Sequence, residues 1–518
     1  LSRDYNLKNK KGFILEPEQV DIVEALLKND VFFNCAQTGI GKTYSTITAA
    51  VHKYIERKED DIHFVLVIPG SADKAFSDCF SKILGIPYNI YTATKTKTMP
   101  NARFHIFNYS TLTGGLVDKK KNTIGARNGY IEKVFELKKK HPNLWLIVDE
   151  AHSLQDPKSQ QYIVMSKLMP LFIGRWALTA TPILNDLDGL FYMTELFKPG
   201  LFKNIYAFQN KFTVFENKTI WMRTKGGRAK PKQVREAIGY KNLDQLKLIF
   251  SEISIVRSKT YNIEFIYKET SMSSKAAEYY KFAAQGLFSG TQQTSKKNKG
   301  KSKGSSQSAA GARLHDLQRV VSNSHKEFKF IKDENKLTEK ELLLINTVSE
   351  VLERDEAALI YFTYLETLER VKFIFNKLKD KFNIPKIHQI SGSVSKHKRK
   401  LVEDNIGPRD LVLITSAGTE SVNLQRANNL IFYEIPFPLR EFIQACGRIA
   451  RTDTKFDLLN IYILETAGTI DTYKKMRIQS NMEPIRAVVG GGSTIPTELL
   501  TLSALDKQAM KDELLWWK

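Results

Sequence analysis

Two tandem α/β lobes, each built on a parallel sheet, with helical insertions and a C-terminal helical tail, are the fold that this 518-residue sequence predicts. Three observations predict it. The chain is too long for one ordinary core, so two or three domains are expected. Short continuous apolar runs alternate with helical stretches in two separate blocks, the pattern of strands covered on both faces. The first block alone carries an apolar run, a glycine-containing loop and a helix start in immediate succession.

In the first block, Leu15-Glu-Pro-Glu-Gln19 precedes a helix expected from about Val20 to Leu27. Val31-Phe-Phe-Asn-Cys-Ala-Gln-Thr-Gly-Ile-Gly-Lys-Thr43 then runs from strand to loop, and Tyr44 to Ala50 continue as a helix. Such a turn aims backbone N–H groups and a helix dipole at one point, which suits a polyphosphate. Lys42 reaches the β- and γ-phosphates, and the Thr43 hydroxyl ligates Mg²⁺. The pattern G-x-x-x-x-G-K-[ST] is met except at its first glycine, which is Ala36. Further strands are expected at Phe64–Ile68, Tyr88–Tyr91, Phe104–Phe107, Leu144–Val148 and Trp176–Leu178. The fourth of these ends in Asp149-Glu150-Ala151-His152, two carboxylates at the carboxyl edge of a buried strand, where open α/β sheets bind ligands. Asp149 is placed to hold Mg²⁺ through its water shell and Glu150 to orient and deprotonate the attacking water. Thr179-Ala-Thr-Pro182 stands at the end of the fifth.

From about Asn185 to Lys259 the chain turns aromatic and basic, with Arg223, Lys225, Arg228, Lys230, Lys232 and Arg235 around Gly226-Gly227. A nucleic-acid contact is expected there, with a solvated hairpin as the alternative. Gly290 to Gly311, rich in Ser, Gln, Gly and Lys, reads as a mobile loop within a helical insertion. The second block begins near Glu339, with strands at Ala357–Phe362, Lys386–Ile390, Leu411–Thr415, Leu430–Tyr433 and Leu459–Leu464. It lacks a second phosphate loop, so one nucleotide site between two lobes is expected. Arg448 and Arg451, three apart and so on one helix face, are candidates to reach that site as arginine fingers. Glu498 to Trp517 reads as a terminal helix docked through Trp516 and Trp517.

Lys and Arg total 78 against 56 Asp and Glu, a formal +22 that favours a polyanionic partner. Cys35, Cys79 and Cys446 share no disulfide or zinc spacing, which fits a reducing compartment. No apolar stretch reaches membrane-spanning length and Leu1 to Asn6 lack a signal-peptide core, so a soluble intracellular protein is expected, cytoplasmic or at a nucleoid or viral replication site.

Taken in order, these motifs resemble the superfamily two helicases and translocases, specifically the Swi/Snf-like branch with a DEAH-box second motif. Gln19 is similar to the adenine-reading glutamine of that family. Ala36, Gln37, Thr38, Gly39, Ile40, Gly41, Lys42 and Thr43 are similar to motif I, Asp149 to His152 to motif II, Thr179 to Pro182 to motif III, and Gln444 to Arg451 to motif VI. The branch is carried by Thr181-Pro-Ile-Leu-Asn-Asp-Leu-Asp-Gly-Leu-Phe191 with Phe197 to Phe202, by Gly239 to Leu246 with Ile255 to Lys259, and by Gly468 to Asp471. Motif V departs from the pattern: Ala417 to Leu424 keeps Gly418 and Asn423 but has Thr419 and Ser421 where glycines are common.

The resemblance implies two RecA-like lobes, residues 1–200 and 339–480, with 201–338 as a basic helical insertion and linker and 481–518 as the tail. It implies a DNA-dependent ATPase that uses ATP and Mg²⁺ to move along or remodel duplex or branched DNA without reading its sequence. Protein partners are left open and no membrane is involved. DNA contacts are implied at Pro69, Gly70, Ser71, Asn108, Tyr109, Ser110, Thr111, Ser391, Gly392, Ser393, Gly418 and Thr419, beside Arg228 of the basic hairpin. His152, Thr179, Thr181 and Gln444 are implied to couple nucleotide to strand. Two rivals use the same residues differently: an RNA-polymerase-associated termination or recycling ATPase, and a non-catalytic DNA-binding scaffold.

Overall fold

A run such as Phe64-Val-Leu-Val-Ile68 offers water no polar face, so it forms a strand only where both sides of the sheet are covered. The computed structural model describes residues 5, 14–37, 39–57, 61–92, 96–113, 130–184, 186–223, 229–258, 261–288, 317–322, 336–416, 422–436, 439–451 and 454–489. Two compact units separate, Leu1–Lys259 with Glu483–Ser493, and Thr260–Met482 with Thr494–Lys518. Among the described residues no helix is long and apolar enough to cross a membrane.

The first unit contains β1 (Val31–Asn34), β2 (His63–Ile68), β3 (Tyr88–Tyr91), β4 (Thr96–Lys97), β5 (Phe104–Asn108), β6 (Leu144–Asp149), β7 (Gly174–Leu178), β8 (Thr213–Arg223), β9 (Ala229–Tyr240) and β10 (Ser254–Ile255). Eight of these form one sheet in the order β10-β1-β7-β6-β2-β5-β3-β4, parallel throughout except for the β3–β4 pair. Helix α1 (Pro17–Lys28) begins with a capping box between Glu16 and Gln19 and has proline in its first turn, where the missing N–H costs nothing. Helix α2 (Lys42–Glu56) follows the phosphate loop. Trp145 and Trp176 meet edge to face at 5.1 Å in the core, and Gly174 lets them do so, because a Cβ there would lie 2.4 Å from the Trp145 ring. Register aligns the carboxyl ends of three neighbouring strands: Asn34 pairs with Leu178, and Leu178 with Asp149.

Strands β8 and β9 form a separate antiparallel ribbon with an irregularity at Val214/Phe215. Its tip, with Arg228, lies outside the described residues. Arg235 lies 3.8 Å above the Phe215 ring and donates to Asn210 Oδ1, so this cation is engaged along the ribbon.

The second unit holds β11 (Ile263–Thr270), β12 (Ala358–Phe362), β13 (Ile387–Ile390), β14 (Leu411–Thr415), β15 (Asn429–Phe432) and β16 (Leu459–Thr466), ordered β11-β16-β15-β12-β14-β13 and wholly parallel. Every apolar run named from the sequence lies on a strand, and both expected parallel-sheet α/β lobes are present. Two edge strands are additional. Ser254–Ile255 joins the first sheet, and Ile263–Thr270 joins the second from well before Glu339. Glu264, Lys268 and Glu269 break the apolar run of β11, as expected of an edge strand that water reaches. The segment 290–311 and the helix expected at 498–517 lie outside the described residues.

Candidate functional site

The loop after β1 is held from both ends. Asn34, fully buried at the strand end, accepts from Ala36 N–H at 3.2 Å, and its Nδ2 donates to Thr46 Oγ1 on α2 at 3.2 Å. Lys42 Nζ donates to the carbonyls of Ala36 (2.8 Å) and Gln37 (3.1 Å), which wraps the loop around its own ammonium group. Gly41 opens α2 with φ +86°, and a Cβ there would sit 2.4 Å from Gln19 Nε2. Gln19 in turn donates to Ile40 O at 2.8 Å. Gln19, Ala36, Gln37, Gly39, Ile40, Gly41, Lys42 and Thr43 therefore belong to one loop and its brace, and Thr38 lies outside the described residues.

Two strands away, β6 ends in Asp149 and the chain turns at Glu150, whose φ of 51° and ψ of 47° are left-handed. Burial and the adjacent Glu150 carboxylate push Asp149 up to about 7, with Lys42 pulling it down. His152 Nδ1 lies 3.1 Å from Glu150 Oε2, 3.2 Å from Thr179 Oγ1 and 3.4 Å from Thr181 Oγ1. An ionised carboxylate only accepts, so the ring proton sits on Nδ1, and Nε2 is a buried acceptor with no partner among the described residues. Thr179 N–H donates to Asn34 O at 3.1 Å, and Thr181 N–H to Thr179 Oγ1 at 3.1 Å. Motifs I, II and III thus form one hydrogen-bonded edge.

This edge fits a magnesium nucleotide. It combines a helix start, a lysine, two carboxylates, a Gly41 with no room for a side chain, and a buried Gln37 amide with neither polar atom satisfied among the described residues. Sequence reasoning missed Asn34 and Gln155. The latter donates to Pro182 O at 2.7 Å, joining the motif II and motif III loops.

Beyond β2, Pro69 leads into a short turn, Gly70–Ala72, that contains Ser71. Asn108 ends β5 and donates to Asp73 Oδ2 at 3.2 Å, and Tyr109–Thr113, containing Ser110 and Thr111, form a short helix. Tyr109 OH donates to Asp149 O at 3.0 Å, so this segment touches motif II directly. In the second unit, Ser391 Oγ and Ser393 Oγ lie 2.9 Å apart, and Arg399 donates to the carbonyls of Ser391 and Gly392. Gly418 and Thr419 lie outside the described residues. Gln444 and Arg448, four apart, are half-buried positions on one face of helix Leu439–Ile449. Leu424 N–H donates to Arg448 O at 3.0 Å, tying motif V to motif VI. Arg451 does not share that helical face: the helix ends at Ile449, and Arg451 folds back so that its Nε donates to Gly447 O at 3.0 Å.

Residues 34–325 match the SNF2-related domain, and residues 340–453 the helicase conserved C-terminal domain. The uncharacterized ATP-dependent helicase YqhH of Bacillus subtilis is 23% identical over 374 residues, 68% of this chain and 61% of that protein. The chromatin-remodeling ATPase INO80 of Schizosaccharomyces pombe is 26% identical over 184 residues, 35% of this chain and 11% of that one. The chain therefore spans less than two thirds of the length of these relatives. A solved Sulfolobus solfataricus SWI2/SNF2 ATPase core in complex with dsDNA is 18% identical with a TM-score of 0.39, covering 97% of this chain and 99% of that one. With more than half of its residues inside the SNF2-related match and the helicase C-terminal match following in order, the chain belongs to the SNF2-related family.

Proposed function

We propose that this protein hydrolyses ATP to move along or remodel duplex or branched DNA, gripping the backbone and reading no sequence. The observation that carries the reading is the single sheet edge on which Lys42, Asp149, Glu150 and Thr179 converge, joined through His152.

Lys42 exchanges the Ala36 and Gln37 carbonyls for oxygens of the β- and γ-phosphates, so binding loosens the loop it held. Thr43 and Asp149 hold Mg²⁺, which when bound neutralises charge on those phosphates. Glu150 takes the proton of the attacking water as its oxygen bonds to the γ-phosphorus and the β–γ bridge leaves with ADP. Gln19 reads the adenine while bracing Ile40. Arg448 and Arg451 supply further positive charge for the transferred phosphoryl group. His152 senses Glu150 and passes its state to Thr179 and Thr181, with Gln444 acting in the second unit. Pro69 to Ser71, Asn108 to Thr111, Ser391 to Ser393, Gly418, Thr419 and Arg228 contact phosphates. The Tyr109 bond to Asp149 O supports a direct link between one such contact and the metal-binding carboxylate.

The test is phosphate release titrated with single-stranded DNA, duplex, forked DNA, a four-way junction and RNA. Duplex or junction DNA is expected to stimulate most, and Lys42→Ala to abolish release while retaining DNA binding. Stimulation by RNA alone, or full turnover by Lys42→Ala, overturns the reading.

A further inference from the structure

At the amino-terminal edge of the first sheet, opposite the phosphate loop, is a cavity of about 650 Å³ whose lining includes Asp61, His63, Tyr91, Arg103, Lys133 and His141. Nothing in the ATPase reading uses these residues. Asp61, His63 and His141 offer ligand atoms that all lie within 4.8 Å of one another. His63 Nε2 is 3.5 Å from Asp61 Oδ1, and His141 Nδ1 is 3.0 Å from Asp61 Oδ2. A tetrahedral zinc ion with bonds of about 2.0–2.1 Å separates its ligands by roughly 3.3 Å, and the His141 Nδ1–Asp61 Oδ2 spacing lies close to that edge.

We infer that Asp61, His63 and His141 bind one divalent transition metal of the zinc class, with a fourth position open to the cavity. His63 begins β2, and His141 closes the helix Tyr130–Lys140, its N–H donating to Leu137 O at 2.7 Å. Arg103 donates to Asp61 Oδ1 at 3.0 Å, which leaves Oδ2 to the ion, and the His63 and His141 rings, stacked with centroids 3.5 Å apart, turn on capture so that both nitrogens face it.

A polar ladder backs the site. His63 Nδ1 lies 3.2 Å from His105 Nε2, and His105 Nδ1 lies 3.1 Å from Asn89 Nδ2. Metal-binding histidines are oriented through their second nitrogen in this way. The ladder has a direction. Met99 N–H donates to Asn89 Oδ1 at 2.8 Å, so Asn89 Nδ2 donates to His105 Nδ1. His105 then carries its proton on Nε2 and donates to His63 Nδ1, which leaves the His63 proton on Nε2, facing Asp61. Metal capture reverses this order: His63 and His105 move their protons to Nδ1, and the Asn89 amide turns its oxygen to His105. The reversal costs the Met99 hydrogen bond.

That cost gives the site a distinctive test, independent of nucleotide. Asn89→Asp accepts from both His105 Nδ1–H and Met99 N–H, so it favours the metal-ready order and should tighten binding by about tenfold. Tag-free protein is titrated with Co²⁺ alone, read by visible absorption, and then with Zn²⁺ as competitor. One Co²⁺ per chain, with tetrahedral bands displaced by Zn²⁺, is expected. His63→Gln and His141→Gln should each weaken binding by about a hundredfold or more while leaving ATP hydrolysis intact. Absence of Co²⁺ binding by the parent, or binding unchanged in both glutamine variants, overturns the inference. If Asn89→Asp fails to fold, the two glutamine variants still decide.

Discussion

Asp149 carries the sharpest single-residue consequence. Its carboxyl is pushed up to about 7, first by burial and then by Glu150. If its ionised form holds Mg²⁺, hydrolysis falls as pH drops through about 7 instead of near the ordinary carboxylate range. Metal and proton compete for the same oxygen, so raising Mg²⁺ moves that midpoint lower, and a midpoint indifferent to Mg²⁺ sinks the assignment. The stability sign is opposite to the activity sign. A carboxyl whose folded value is raised contributes stability below its unfolded value, and this is lost as pH climbs through about 7. Without Mg²⁺, the thermal midpoint of Asp149→Asn relative to the parent should therefore rise between pH 4 and pH 7. The shared sheet edge of Lys42, Asp149 and Glu150 was legible in the sequence because strand, loop and helix start follow one another along the chain. Asn34 and Gln155 were not, because an amide declares its partners only after distant loops have met.

Among elements, the strands were legible because continuous apolar runs have one way to be covered. The edge strand β11 was not, since its glutamates and lysine blur the run, and the spacing of Arg448 and Arg451 said nothing of where the helix would stop. Strand β7 shows how tightly the covered faces meet. Gly174→Ala would place a methyl group about 2.4 Å from Trp145 ring atoms, too close to keep without shifting a buried indole. Such overpacking costs about 1–3 kcal/mol, to be read as a lower denaturant midpoint with an unchanged slope. A midpoint equal to the parent would mean that the two tryptophans repack freely.

For the whole molecule, a formal +22 and six cations in the sequence from Arg223 to Arg235 make salt the natural probe of the proposed DNA binding. Replacing Arg223, Lys225, Arg228 and Lys230 by Gln should weaken duplex affinity and lower the slope of log affinity against log salt by roughly 0.9 for each phosphate no longer neutralised. An unchanged slope would mean these charges face only solvent. Arg235→Gln should matter less for DNA, because its guanidinium is engaged by the Phe215 ring and Asn210. Charge and composition raise the expectation of a polyanionic partner, but they carry no record of which cations the fold occupies internally.

The left-handed turn at Glu150 implies a conflict between durability and work. A side chain there holds the backbone in a conformation that glycine would adopt without strain, at a cost of about 1–2 kcal/mol. Glu150→Gly should accordingly yield a protein that melts later and turns over nothing. A selection scheme that rewards heat resistance alone would drift toward inert molecules at this position.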